Sequence, residues 1–249
     1  MAALRGAEAS ARPGDRLASN IRVSLLSSFE LSCDGTTVGL PVGIQRLVAF
    51  LALHDHPMLR VYVAGALWLD APEERAAASL RSSLWRLNQP GFKVVGGSNG
   101  RIELAREVTV DLRDSTALAQ ALLSGSDGCD DPAGITRALS GDVLPDWYDE
   151  WAVMERERFR QLRLHALEAL GERLLAEGKV GQAIEAAQAA AVAEPLRESA
   201  HRLLVRIHLV EGNPGEAIRQ YRLCERLFRE QLGVTPSGRM RALVEPLTT

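Results

Sequence analysis

The chain has 249 residues, 46% of them hydrophobic and 24% charged, with a formal net charge of −3. That is enough for two modest domains that each bury a core, and no apolar run nears the roughly 20 residues a bilayer crossing needs, so a soluble protein with no membrane partner is expected. Its three cysteines, Cys33, Cys129 and Cys224, stand far apart without a CxxC pair, which indicates neither a disulfide framework nor a zinc site and suits a reducing, cytoplasmic setting.

The acidic total hides an uneven distribution. Residues 1–20 carry three Arg against two acids, 21–110 nine Lys/Arg against eight, and 111–249 seventeen against twenty-two. Within 75–106, Arg75, Arg81, Arg86, Lys93, Arg101 and Arg106 face only Glu103, a local excess of +5. A polyanionic partner is therefore not excluded by net charge.

Residues 1–20, MAALRGAEASARPGDRLASN, are rich in Ala, Arg, Gly and Ser and lack the continuous apolar core of a secretory signal; a disordered lead-in is expected. From Ile21 to Leu40 β-branched and apolar residues are interrupted by Asp34-Gly35, which predicts short antiparallel strands joined by a tight turn. After Pro41 the spacing becomes helical, with Ile44, Leu47, Phe50 and Leu51 on one side and Pro57 beyond the end. A second short helix covers RVYVAGALW, with Val63 and Leu67 four apart, and stops before Pro72. A third runs from about Glu73 to Asn88 and stops at Pro90. FKVV and RIELA then form two short strands across the Gly-rich turn GGSNG.

Strands, three helices and a terminal hairpin in about 90 residues outline a winged helix, in which the third helix enters the DNA major groove and the hairpin is the wing. At about 100° per residue, Ala76, Leu80, Leu84 and Leu87 share one arc of the third helix and are expected in the core. Arg75, Ser82, Trp85 and Arg86 point away from that arc, with Ser79 and Arg81 at its flanks. Guanidinium groups grip guanine or phosphate with paired donors, and a serine hydroxyl contacts phosphate or either base type. Trp85 either stacks or wedges against a base or packs on a neighbouring domain. Lys93 and Arg101, in the hairpin, are placed to hold the adjacent backbone. A polar helix face carrying Arg and Ser is ordinarily just solvated; the order of elements around this one favours DNA.

From Asp111 onward Ala, Leu, Glu and Arg dominate and strand patterns all but vanish, so this half should be helical. Residues 149–177 read as one long helix or two in line, with Leu162, Ala166, Leu170 and Leu174 along one stripe and Arg156, Arg158, Arg160 and Arg163 on a solvated face. Sliding the chain on itself by 34 residues places Ala183 on Ala217 and Gly178 on Gly212, with Ala-Ile repeated in both. That is the period of tetratricopeptide repeats. Gly171, Ala190 and Pro195 occupy positions of close approach and turn in the first unit; Val205 and Cys224 replace the first two in the second. The expected architecture is α+β: a disordered lead-in (1–20), an N-terminal winged helix-turn-helix domain (21–108), and an all-α tetratricopeptide-like repeat domain (109–249).

Both halves resemble the actinobacterial antibiotic-regulatory activators (SARP-type), which join an OmpR-type winged helix to a bacterial transcriptional activator domain (BTAD). The resemblance covers about residues 21–247. It rests on VSLLSSFELSCDGTTVGLP, ALWLDAP and RAAASLRSSLWRL in the first half. In the second it rests on VDL at 110–112, GDVLPDWYDEWAVMERERFRQLRLHALEAL, AAVAEPLRESAHRLLVRIHLVEGN and EAIRQYRLCERLFREQLGVTPS. The family implies an activator on double-stranded DNA at direct repeats near promoters, bound as a homodimer or as copies side by side, and in contact with RNA polymerase. By the same resemblance Arg86 takes the basic position that touches base or phosphate, Ser82 and Ser83 lie nearby, and Arg101 falls in the wing. Trp85 and Asn88 depart from the basic or small polar residues common there, and Gln89-Pro90 shortens the helix.

No catalytic residue, metal site or cofactor is expected. GxxxxGK[ST], GxSxG and HExxH are absent from the sequence. The HDH of His54–His56 lacks supporting ligands and reads as a loop, and His201 and His208, seven apart on one helix, read as packing or surface rather than catalysis. Neither the ATPase module of larger members nor a receiver domain before residue 21 is expected. The alternative is a repeat protein that docks partners and whose DNA binding has degenerated.

Overall fold

The computed structural model describes residues 20–88, 93–125 and 130–247. The lead-in expected before Asn20, the helix stop at Gln89-Pro90, Phe92 of the expected hairpin and Cys129 lie outside the described residues. The chain divides into two compact units: residues 30–109 with the described part of 20–23, and residues 110–247 with 24–29.

In the first unit, β1 (Ile21–Ser24) and β2 (Glu30–Cys33) lie in a four-stranded sheet of order β3-β2-β1-β7, with β3 (Thr36–Thr37) and β7 (Val108–Val110) at its edges. Asp34 and Gly35 take φ values of 49° and 78°, the left-handed pair that a two-residue hairpin turn demands, and they set Cys33 opposite Thr36. The Asp34 carboxylate also accepts the Asn20 N–H at 2.8 Å.

Helix α1 (Val42–Ala52) buries Ile44, Leu47, Phe50 and Leu51, as their spacing predicts, and Val48, Ala49 and Ala52 besides. The carbonyl of Pro41 accepts the N–H groups of Ile44 and Gln45 to start it. At its far end the His54 ring donates from Nδ1 to the Phe50 carbonyl at 2.7 Å. That bond closes the helix. After β4 (Met58–Leu59), α2 (Arg60–Leu67) buries Val63 and Leu67. Helix α3 (Glu73–Leu87) follows, then β5 (Val95–Gly96) and β6 (Arg101–Leu104), which join β4 in a second sheet of order β4-β6-β5.

The second unit is helical: α4 (Asp111–Ser124), α5 (Pro132–Ala138), α6 (Glu150–Ala176), α7 (Val180–Ala193), α8 (Glu198–Val210), α9 (Pro214–Leu232) and α10 (Gly238–Val244). Residues 24–29, which leave β1 and return as β2, pack with it. The Asp111 carboxylate accepts the N–H groups of Leu25 (2.8 Å), Leu26 (3.2 Å) and Leu112 (2.7 Å), so one side chain both starts α4 and holds this segment. Leu26 forms a bridge with Val143, Ser27 N–H donates to the Asp142 carbonyl at 2.7 Å, and Leu144 N–H to the Leu25 carbonyl at 2.9 Å.

The long helix expected over 149–177 is one uninterrupted element, α6, and Ala166, Leu170 and Leu174 of its stripe are buried. Of the four arginines expected on its solvated face Arg158 is exposed, while Arg156 and Arg163 depart from expectation. Arg163 is not solvated but 2% exposed. Its guanidinium donates to the Ser140 carbonyl at 2.8 Å and the Gly141 carbonyl at 3.0 Å and pairs with Asp142. Arg156 donates to the carbonyls of Val143, Leu144 and Trp147. A sequence window reads a charge as solvent-facing; here two guanidiniums satisfy the carbonyls of a loop that forms few internal hydrogen bonds, the arrangement a buried charge requires. Among the carbonyls held is that of Leu144, a buried non-glycine residue at φ 43°, a strained conformation that surrounding bonds must maintain.

The 34-residue repeat is visible in the helices: α7 begins at Val180 and α9 at Pro214. Gly178 and Gly212 close the preceding helices at φ 74° and 82°, where a side chain would be strained. Ala183 and Ala217 are both fully buried. A Cβ on Gly171 would sit 2.9 Å from Leu203 Cδ2 and 3.5 Å from the Ala183 carbonyl oxygen, so this glycine lies at a close approach of α6 to its neighbours. Leu164, Leu167, Leu170, Ala183, Ala187, Leu203 and Ile207 belong to one core; Val205, Cys224, Phe228 and Met240 belong to a second. Burial pushes the Cys224 thiol up to about 11, which leaves it an inert core group at neutral pH. His201 is also core, its Nε2 donating to the Pro195 carbonyl at 2.9 Å while Nδ1 receives the Gln220 amide at 2.6 Å. The packing role expected for it is what it performs.

Candidate nucleic-acid interface

Helix α3 is amphipathic because its apolar residues recur at helical spacing: Ala76, Leu80, Leu84 and Leu87 are buried, and each buried Leu contributes on the order of 1.5–3 kcal/mol to holding the helix in place. Pro72 precedes it, and its carbonyl accepts the N–H groups of Arg75 and Ala76 at 2.9 and 3.0 Å. Glu73 and Glu74 stand in the first turn and Arg86 in the last, the charge order that complements a helix dipole. The outward face therefore becomes more cationic toward its C-terminal end.

That face carries the residues the sequence singles out. Arg75, Arg81, Ser82, Trp85 and Arg86 are exposed, and Ser79 is half-buried at the flank. Ser83 differs: it is 9% exposed and belongs to the packed side. At about 100° per residue, Ser83 lies some 160° from Trp85, so its neighbour Ser82 faces out while it faces in.

The β5–β6 hairpin brings the other two. Lys93 is exposed just ahead of β5. Arg101 opens β6, is exposed, and donates from Nη1 to the Pro57 carbonyl at 2.9 Å. One of its five donors thus anchors the approach to β4, and the register sets Leu59 opposite Arg101. The hairpin turn contains Gly97, Asn99 and Gly100 at φ 153°, 50° and 74°. A Cβ on Gly97 would collide with the Arg101 carbonyl oxygen, so the turn that presents Arg101 requires glycine there. The anchoring bond of Arg101 was not legible in the sequence, since Pro57 is 44 residues away.

The bacterial transcriptional activator domain model matches residues 134–247. The regulatory protein AfsR of Streptomyces coelicolor is 29% identical over 242 residues, covering 90% of this chain and 24% of AfsR. AfsR of Streptomyces griseus is 27% identical over 213 residues, covering 82% of this chain and 22% of that protein. The chain thus spans about a quarter of the length of these curated relatives. A solved structure of Mycobacterium tuberculosis EmbR, in complex with a low-affinity phosphopeptide, superposes with a TM-score of 0.68 at 23% identity, covering 92% of this chain and 65% of that one. That likeness concerns the fold, α+β with a small-sheet N-terminal unit and a helical unit. Residues 134–247 thus match a bacterial transcriptional activator domain, and most of the chain is similar to regulatory proteins.

The first unit holds a second feature, a cavity of about 480 Å³ between α2 and α3 lined by Arg60, Val61, Trp68, Leu69, Leu80 and Arg81 among others. Sequence spacing does not reveal it, because it arises from how the two helices diverge around the 68–72 loop. Among the described residues there is no group of His, Cys, Asp and Glu able to hold a metal ion, and no helix long and apolar enough to cross a membrane.

Proposed function

We propose that this regulator is a sequence-specific DNA-binding transcriptional activator whose α3 enters the major groove. The observation that supports this is the outward face of α3: five exposed side chains of donor or aromatic type, Arg75, Arg81, Ser82, Trp85 and Arg86, opposite a sealed face. A helix of 15 residues is about 22 Å long, and its diameter matches the roughly 12 Å width of the B-DNA major groove. In this reading the first unit is a winged helix. Arg81 and Arg86 supply paired donors to base edges or phosphates, Ser79 and Ser82 short hydroxyls, and Arg75 a phosphate contact. Lys93 and Arg101 in the wing hold the adjoining backbone.

The helical unit is the tetratricopeptide-like element. Stacked helix pairs expose extended surfaces for partners, and here they would hold neighbouring copies on direct repeats or contact RNA polymerase. About five phosphate contacts give only moderate affinity to one copy, which favours copies bound side by side.

Salt dependence tests the proposal. Five phosphate contacts predict that log affinity falls against log salt with a slope of about −4 to −5, measured by fluorescence anisotropy on duplex fragments. A slope near zero, with no retention on DNA at low salt, supports instead the docking module whose DNA binding has degenerated.

A further inference from the structure

We infer that Trp85 reads the 5-methyl group of a thymine in the major groove and so makes the operator depend on thymine at one step of each half-site. The inference rests on the DNA-binding reading of α3 and adds the base chemistry.

Trp85 is 65% exposed, the one large apolar side chain that α3 leaves open to solvent. At about 100° per residue, Ala76, Ser83 and Leu87 lie within about 20° of the direction opposite to it, so Trp85 marks the centre of the outward face. Ala78, also exposed, falls within about 20° of the same line. Its small side chain lets that stretch of backbone approach a surface closely. Arg81 and Ser82 flank the line at about 40° and 60° on either side, and Arg75 and Arg86 stand at about 80° and 100°. The face thus has an apolar centre bordered by hydroxyl and guanidinium groups.

Where this face meets DNA, the indole at its centre gains from being covered only by an apolar partner. Within the major groove the apolar group on a base edge is the thymine methyl; the other groups there are hydrogen-bond donors and acceptors. The groove's borders are phosphates, which match the flanking cations. A wedge between base steps belongs to proteins that kink DNA from the minor groove, which at about 6 Å wide is too narrow for a helix about 10–12 Å across.

The experiment uses an operator recovered by selection with the full chain. Each thymine is replaced in turn by deoxyuridine, which removes the methyl group and leaves every hydrogen-bonding group in place. At one thymine per half-site wild-type affinity is expected to fall about fourfold, the factor that burying one methyl group corresponds to. The Trp85→Ala variant should bind thymine and uracil operators equally at that step, and Trp85→Leu should retain part of the discrimination. Because Trp85 is exposed, the far-UV circular dichroism and melting of both variants should match wild type. A flat deoxyuridine scan on an operator that wild type binds selectively overturns the inference and leaves the DNA-binding reading standing. An unchanged scan in Trp85→Ala overturns it equally and returns Trp85 to packing against another protein surface. Absence of selective binding to any duplex overturns both.

Discussion

Replacing Arg163 with methionine keeps an aliphatic stem in the core and removes the guanidinium. Two charge-assisted hydrogen bonds are lost, to the carbonyls of Ser140 at 2.8 Å and Gly141 at 3.0 Å, along with the pair to Asp142, whose side chain is 48% exposed. Hydrogen bonds to charged groups contribute about 1.5–3 kcal/mol each, so the direct loss is about 3–6 kcal/mol. Asp142 is open enough to regain water and adds little. Relief from holding a buried charge returns part of the loss: burial itself pulls the Arg163 pKa down, with Asp142 opposing it. The expected net destabilisation is about 2–4 kcal/mol. The assay is urea unfolding followed by the emission of Trp147 and Trp151, whose rings meet edge-on at 5.9 Å, in a background where Trp68 and Trp85 are phenylalanine. A loss below about 1 kcal/mol would refute the view that the α6 guanidiniums hold residues 139–147 in place.

Three further outcomes are expected. Leu80→Ala, at a position 2% exposed, should destabilise the first unit by about 2–5 kcal/mol, read as an earlier thermal transition. Gly97→Ala places a Cβ against the Arg101 carbonyl and should cost about 1–3 kcal/mol, visible as shifted amide resonances at residues 98–104 while the helical unit is unmoved. Burial pulls the His201 pKa below its ordinary 6.5, with the Pro195 carbonyl and Glu198 opposing that only in part. The unfolded chain therefore takes up this proton before the folded one does, so the His201 contribution is complete above about pH 6.5 and is lost as pH falls below it. The urea midpoint should drop between pH 7.5 and 5.5 more steeply in wild type than in His201→Gln.

What the sequence made legible follows from short-range periodicity. The α3 core of Ala76, Leu80, Leu84 and Leu87 repeats at helical spacing, and its complement then had to face out; Asp34-Gly35 permits one tight turn; Gly178 and Gly212 recur because α6 and α8, equivalent helices of successive repeats, close in the same left-handed way. Effects that depend on distant chain were not legible. Arg163 reads as surface until the carbonyls of 140 and 141 are seen around it, more than 20 residues earlier. The placement of residues 24–29 with the helical unit depends on Asp111, 86 residues from Leu25. Ser83 looked equivalent to Ser82 because two adjacent serines differ only in where a 100° step puts them. The cavity between α2 and α3 has no sequence pattern, being a property of how two helices diverge.

The claim that the outward face of α3 reads DNA is tested most directly by selecting fragmented genomic DNA from the protein's source with the purified chain, beside Arg86→Ala as the control. Enrichment of short direct repeats near promoters, lost or weakened in Arg86→Ala by the about 1–3 kcal/mol that one specific contact is worth, is the predicted result. No enrichment at low salt, or the same enrichment in both proteins, would contradict it.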